Sequence, residues 1–183
     1  MKLILGFVGQ IASGKGSACD HIVKKYQAGY YRFSTPLFDI VNRLHLPADR
    51  DHLQQTSQML RETFGQDILA QVLTSDVKTD RAAIICVDGI RRPQDIELLQ
   101  PLDGFVLIHI FADIKTRYQR LVQRSEKTDD KDKTFNQFLA DHEKEAEKLI
   151  AVVSEKADIQ LDNNGTISDL QTALDNLIKK YQK

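Results

Sequence analysis

The chain reads as an α/β protein, a doubly wound, five-stranded parallel sheet with helices on both faces. Three observations lead there. Short apolar runs alternate with longer segments of helical period, the pattern of successive βαβ units. The runs are near-continuously hydrophobic rather than alternating, as strands covered on both faces are. The first of them, Leu3-Ile4-Leu5-Gly6-Phe7-Val8, leads directly into Gly9-Gln10-Ile11-Ala12-Ser13-Gly14-Lys15-Gly16-Ser17 and then into helical spacing. That is G-x-x-x-x-G-K in the order strand, glycine loop, helix start.

The predicted strands are residues 3–8, 29–33, 82–87, 105–111 and 157–161. Helical period marks residues 15–27, 36–46, 49–80 with a break near Gly65, 94–100, 114–124, 135–156 and 168–180. Asn163-Asn164-Gly165 after the fifth strand is a turn signal, and Ser168 is placed to cap the last helix. No internal repeat, low-complexity tract or interdomain linker divides the 183 residues, so one domain spanning 1–183 is expected. Two insertions stand out. Residues 36–80 form a long helical excursion between the second and third strands. Residues 124–135 are nearly all polar and read either as a solvated connector or as a mobile lid.

Composition narrows the function classes. Lys plus Arg total 25 against 26 for Asp plus Glu, so bulk binding to a nucleic acid polymer is not expected and any anion site must be local. Cys19 and Cys86 sit among apolar residues without C-x-x-C spacing and read as reduced core thiols. No run approaches the roughly 18 apolar residues of a membrane span. The short first apolar run carries no small-residue cleavage site. A soluble, cytoplasmic protein without a membrane partner is expected. Its five histidines show no metal-ligand spacing, and no Ser-His-Asp arrangement emerges.

The glycine loop is the chemical centre. Gly9 and Gly14 let successive amides turn inward on one anion, and the helix start adds roughly half a positive charge. Lys15 supplies a full charge for the β- and γ-phosphates of a nucleotide. Ligands in open α/β sheets bind beyond the carboxyl ends of the strands, which puts Asp88 near the loop, where it can hold the water shell of Mg²⁺. Arg91 and Arg92 follow; a guanidinium fork matches phosphate oxygens, and of two adjacent side chains one is expected in the site, Arg91 by preference. Arg61 is a second acceptor candidate, or else an exposed helix arginine paired with an acidic neighbour. Arg117, Arg120 and Arg124 share one helical face leading into residues 124–135. Arg120 and Arg124 are the ones expected to reach the transferring phosphoryl group.

The Gly14-Lys15-Gly16-Ser17 variant resembles adenylate kinase and other nucleoside monophosphate kinases. The resemblance implies that Ala12, Ser13, Gly14, Lys15, Gly16 and Ser17 hold the ATP phosphates. It also implies that the Ser17 hydroxyl contacts phosphate while the metal is held largely through water. Adenylate kinases usually carry another glycine where this chain has Ala12. Over nearly its full length the chain is similar to P-loop kinases of the monophosphate kinase and dephospho-CoA kinase group. In that group a helical insert binds the acceptor, a lid excludes water, and the loop holding Asn163 and Gly165 lies against the donor purine.

Two branches of the group compete. Phe33-Ser34-Thr35-Pro36-Leu37-Phe38, the helix bearing Arg61, and Asp88-Gly89-Ile90-Arg91-Arg92-Pro93 look like phage-type deoxynucleoside monophosphate kinases, which implies that Ser34 borders the acceptor. Residues 117–124 and 157–165 look like dephospho-CoA kinase. That second branch usually carries Asp-x-Asp after its second strand, where this chain has Ser34-Thr35-Pro36, with Asp39 a helical turn later. A phosphate acceptor is already ionised and needs no base, whereas a hydroxyl benefits from one. The expectation is therefore a kinase using ATP and Mg²⁺ on a small nucleotide acceptor, foremost a nucleoside or deoxynucleoside monophosphate. A P-loop NTPase acting as a hydrolysing regulatory module is the alternative of a different class.

Overall fold

A computed structural model describes residues 2–123, 133–142 and 145–181. Five strands form one all-parallel sheet: β1 (Leu3–Val8), β2 (Gly29–Arg32), β3 (Ile84–Ile90), β4 (Phe105–Phe111) and β5 (Ile159–Asp162). Their order is β2-β3-β1-β4-β5. The described helices are α1 (Lys15–Tyr26), α2 (Thr35–Arg43), α3 (Arg50–Phe64), α4 (Ile68–Thr79), α5 (Pro93–Glu97), α6 (Ile114–Gln123), α7 (Phe135–His142), α8 (Glu145–Ser154) and α9 (Ile167–Tyr181).

The pleat of β1 explains why its whole sequence is apolar. Leu3, Leu5 and Phe7 enter one core with Ala18, Cys19 and Ile22 of α1 and Leu170, Leu174 and Ile178 of α9. Ile4 and Val8 enter a second core with Leu69, Leu73 and Val77 of α4, Ile96 of α5, and Ile150 and Val153 of α8. Each fully buried aliphatic or phenyl side chain contributes roughly 1.5–3 kcal/mol relative to exposure, so a central strand covered twice anchors both layers. Both cysteines are free and buried within the first core.

Because β1 lies between β3 and β4, the chain crosses in opposite directions from its two sides, and the carboxyl ends of β1 and β3 form the switch point beyond which open α/β sheets bind their ligands. The doubly wound sheet expected from the alternation is the one observed. Among the described residues no helix is long and apolar enough to cross a membrane.

Several element boundaries differ from the sequence reading. β3 runs on to Ile90, so Asp88 lies inside the strand rather than just past its expected end at residue 87. Burial of Ile90 in the second core draws the chain onward, through Gly89 at φ +84. The expected helix over 94–100 ends at Glu97 and gives way to tight turns, with Leu99 N–H donating to Ile96 and Leu102 N–H to Leu99. The broken helix over 49–80 is two helices joined through Gly65 at φ +108. The segment 135–156 holds α7 and α8. β5 starts two residues late because Asp158 turns its carboxylate onto the Leu107 amide (2.8 Å). Of the expected lid, residues 124–132 lie outside the described residues, Arg124 among them, and Phe135 already begins α7.

Candidate functional site

Residues 9–14 carry the chain from β1 into α1 along a path closed to most side chains. Gly9 has φ +154 and Gly14 φ +107. A Cβ on Gly9 would strike the carbonyl oxygen of Ile110, and one on Gly14 would strike the side-chain amide of Asn163. Ala12, where the resembling kinases have glycine, sits at φ +59, a conformation that costs an L-residue roughly 1–2 kcal/mol. Ser13 is fully buried and its hydroxyl has no hydrogen-bond partner among the described residues.

The start of α1 adds to this. Its N-cap is Gly14, no side chain caps the first turn, and no acidic residue stands there. The first turn of α1 thus presents its amides without a side-chain cap. A Cβ on Gly16 would meet nothing within 4 Å, so the space over this turn is open. An orphaned buried hydroxyl, uncapped amides and missing acids together suit an anion. Lys15 Nζ folds over the loop, donating to the carbonyls of Gly9 (2.6 Å) and Gln10 (3.1 Å).

Three side chains from later in the sequence brace this loop. Asn163, which is buried, donates from Nδ2 to the Ser13 carbonyl (2.8 Å). Arg117, also buried, donates from Nε to Ala112 O (3.0 Å) and from Nη1 to Ile11 O (3.4 Å). Arg120 donates from Nη1 to Asn163 O (2.8 Å) and from Nη2 to Gly165 O (3.1 Å). Arg120 was expected at the transferring phosphoryl group; instead it grips the loop after β5. The reason is its helix face: Arg117, one turn earlier, turns into the core, and Arg120 is left facing the neighbouring strand end. Asn163 and Gly165 are thus tied to the phosphate loop through one side chain and to α6 through another.

Asp88 stands near the carboxyl end of β3 and is 5% exposed. Its Oδ1 accepts from the Gly89 amide (2.7 Å), and its Oδ2 accepts from the Tyr30 hydroxyl (3.2 Å) and lies 3.7 Å from Arg32 Nε. The parallel register sets this up, since Arg32 of β2 lies opposite Asp88. Burial, then the charge of Asp88, push the Tyr30 phenol well above its ordinary pKa, so it is a donor throughout the physiological range. One carboxylate beside a phosphate loop fits Mg²⁺, which keeps most of its waters and binds through substrate phosphates. Among the described residues there is no cluster of three metal-ligating side chains, so a protein-only metal cage is not what this donor set builds.

Arg91 and Arg92 follow β3. Their amides both donate to Asp95 Oδ2 (3.0 Å each), which caps α5. None of the ion pairs among the described residues involves either side chain. Arg61 itself departs from expectation. It is buried, with Nη2 3.4 Å from Asp95 Oδ1, Nη1 on the Gln66 carbonyl and Nε 3.4 Å from Ser57 Oγ. It is neither an exposed helix arginine nor an open acceptor cation; burial pulls its pKa down and Asp95 holds it up. Ser34 occupies the N-cap of α2, its carbonyl accepting from Phe38 N–H (3.0 Å) without a side-chain cap. Ser17 borders a groove of about 380 Å³ between α1 and α9, whose far wall is Ile167 and Gln171.

The sequence reading missed Tyr30, Arg32 and His109. Tyr30 and Arg32 lie in a short aromatic strand with no motif around them, and only the β2–β3 register brings them onto Asp88. His109 is opposite Val8 in β4 and half-buried, and burial followed by the charge of Lys15 lowers its pKa. A histidine inside an otherwise apolar strand was the available signal.

Comparisons with known proteins bear on the fold and the family. Relatives include a UPF0200 protein of Methanococcus maripaludis, 28% identical over 98% of this chain and 97% of its own length. Another, from Methanosarcina barkeri, is 26% identical over 97% and 95%. Among solved structures, shikimate kinase from Bacteroides thetaiotaomicron superposes with TM-score 0.65 at 13% identity, covering 97% of this chain and 98% of that one. Shikimate kinase from Acinetobacter baumannii, in complex with shikimate, gives 0.56 at 15% identity over 98% and 94%. These likenesses show a shared fold, the α/β P-loop kinase fold. The AAA domain family model matches residues 8–137, from the end of β1 through α6 into α7, and the chain belongs to that family.

Proposed function

We propose that this protein is an ATP-dependent phosphotransferase whose acceptor is a nucleoside or deoxynucleoside monophosphate. The P-loop kinase-like fold supports phosphotransfer to a small substrate. The observation that carries the finer reading is the charge at the sheet's carboxyl edge. Among the described residues no ion pair involves the Arg91 or Arg92 guanidinium, while the segment Ser34-Thr35-Pro36 after β2 has no acid to serve as a base.

The chemistry follows from what these residues offer. The amides of 14–17 and Lys15 hold the donor's β- and γ-phosphates. Asp88, with Ser17 at the helix start, would hold the waters of an Mg²⁺ bound with the donor, which would supply charge neutralisation. An acceptor phosphate oxygen attacks the γ-phosphorus in line as the bond to the β,γ-bridging oxygen breaks, giving ADP and a nucleoside diphosphate. No proton has to be removed from an acceptor already ionised. Arg91 fixes that acceptor by its fork, and positioning of this kind supplies much of the rate in phosphoryl transfer. Two buried free thiols support a reducing, cytoplasmic setting.

The test is an acceptor panel with enzyme, ATP and Mg²⁺, adding ribo- and deoxynucleoside monophosphates, dephospho-CoA and shikimate one at a time. Rapid ADP formation with one monophosphate is the expected result. Turnover only with dephospho-CoA or shikimate would move the acceptor to a hydroxyl. Slow ADP formation independent of any acceptor would replace the kinase with an NTPase.

A further inference from the structure

Asp95 is 2% exposed and Arg61 8%. They come from separate parts of the chain, Arg61 from α3 in the helical insert and Asp95 from α5 just after β3. One oxygen of the Asp95 carboxylate, Oδ2, accepts from the backbone amides of both Arg91 and Arg92 (3.0 Å each). The other, Oδ1, lies 3.4 Å from Arg61 Nη2. The guanidinium is held at two further corners, Nη1 donating to the Gln66 carbonyl and Nε lying 3.4 Å from Ser57 Oγ. Three anchors on a planar, buried fork leave it one orientation.

Capping does not account for this pair. A carboxylate at the third position of a helix caps it from solvent, with no cation behind it. Here α5 has only five residues, so the cap secures little helix. Taking two charges out of water is costly, and apolar side chains of like volume often join two elements as well or better. What the pair adds, and an apolar contact does not, is direction. The Gln66 carbonyl belongs to the turn between α3 and α4, which passes through Gly65 at φ +108. The amides belong to the segment that carries Arg91, the proposed acceptor fork, and Pro93 stiffens its end. One bridge sets the turn of the insert and the backbone of the arginine segment against each other.

We propose that Arg61 and Asp95 are positioning residues for the acceptor: the buried pair fixes the helical insert against the Arg91–Arg92 segment, so that both meet one small anionic substrate in a single geometry. This rests on the monophosphate reading above and adds to it two buried residues that act through Arg91.

The test compares the full chain as wild type, Asp95→Asn, Arg61→Lys and the double variant Arg61→Met with Asp95→Asn, each followed by circular dichroism and chemical unfolding. Acceptor KM and kcat are measured with the monophosphate that wild type phosphorylates best, and affinity for a non-hydrolysable ATP analogue by direct titration. Asp95→Asn should raise the acceptor KM roughly fivefold or more and change analogue affinity less than about twofold, because an amide that serves both backbone donors turns its NH₂ toward Arg61. Arg61→Lys keeps a charge beside Asp95 but lacks the fork that reaches Gln66 and Ser57, so its rise in KM should be smaller. The double variant loses both charges at once, which a buried site tolerates better than losing one. It should therefore be more stable than Asp95→Asn while its acceptor KM stays raised, a split that a merely structural bridge would not show. A folded double variant with an acceptor KM within about twofold of wild type overturns the positioning role and leaves the monophosphate reading standing. Should the double variant not fold, an unchanged KM in Arg61→Lys does the same. Equal loss of acceptor and analogue affinity also overturns it, since the bridge would then support the fold in general. A wild type that phosphorylates no monophosphate overturns both.

Discussion

Gly14→Ala is the sharpest probe of the phosphate loop, because two separate strains meet there. The backbone at φ +107 lies in territory that costs an L-residue roughly 1–2 kcal/mol. The new methyl also lands on the Asn163 side-chain amide, which must leave the Ser13 carbonyl and forfeit a hydrogen bond worth about 0.5–1.5 kcal/mol. Together these give roughly 1.5–3.5 kcal/mol of destabilisation, or a fall in Tm of about 3–14 °C for a domain of this size. Asn163→Ala alone should cost about 1–2 kcal/mol, since it orphans a buried carbonyl. Because removing Asn163 makes room for the methyl, the double variant should cost less than the two singles combined, by about 1 kcal/mol or more. Urea unfolding followed by circular dichroism measures all four corners of the cycle. Additivity within about 0.5 kcal/mol would refute the reasoning, because Asn163 would then not be what confines position 14.

Other expectations follow from the same geometry. Lys15→Ala should keep its circular dichroism spectrum yet lower phosphoryl transfer on the order of a hundredfold or more; a variant with half of wild-type turnover would remove the loop from the chemistry. Arg91→Ala should raise the acceptor KM strongly and leave ATP affinity, measured by direct titration, nearly unchanged. Asp95→Ala strands the buried Arg61 guanidinium and uncaps the Arg91 and Arg92 amides, so it should cost about 3–5 kcal/mol in chemical unfolding, against much less for an exposed control such as Glu97→Ala. On the opposite side of the molecule, burial disfavours charge on Asp175, but bonds from Lys25, His21 and Tyr26 outweigh it and bring the carboxyl down to about 2. A depressed carboxyl stabilises the fold above its unfolded pKa, so that contribution should be complete above about pH 4 and disappear as the pH falls to about 2. Acid unfolding of Asp175→Asn should lack this component.

What the sequence disclosed and what it hid divide along chain separation. The glycine loop, its strand and its helix are contiguous, and their chemistry is written in nine residues. Asp88 could be placed because a strand end beside such a loop has few other destinations. The periodicity of 117, 120 and 124 showed a shared helical face but not which way that face turns, so neither the burial of Arg117 nor the bonds of Arg120 to Asn163 and Gly165 could be read from it. Arg61 gave no sign of burial because its carboxylate, Asp95, lies 34 residues away on another element. Arg32 looked like one polar position in a short strand; a one-residue change in the β2–β3 pairing would have turned it to the other face, and no local pattern fixes that register.

On the proposed kinase reading, the bracing of the phosphate loop has a consequence for donor binding. The segment expected beside the purine is not an independent reader: Asn163 hangs it on Ser13, and Arg120 hangs it on α6. A nucleotide that fits the base end badly must therefore tug on the same carbonyl that shapes its phosphate seat. Substitutions meant to exchange one purine for another at residues 163–165 will weaken triphosphate binding as a whole, and bare tripolyphosphate will report damage done at a position it never reaches.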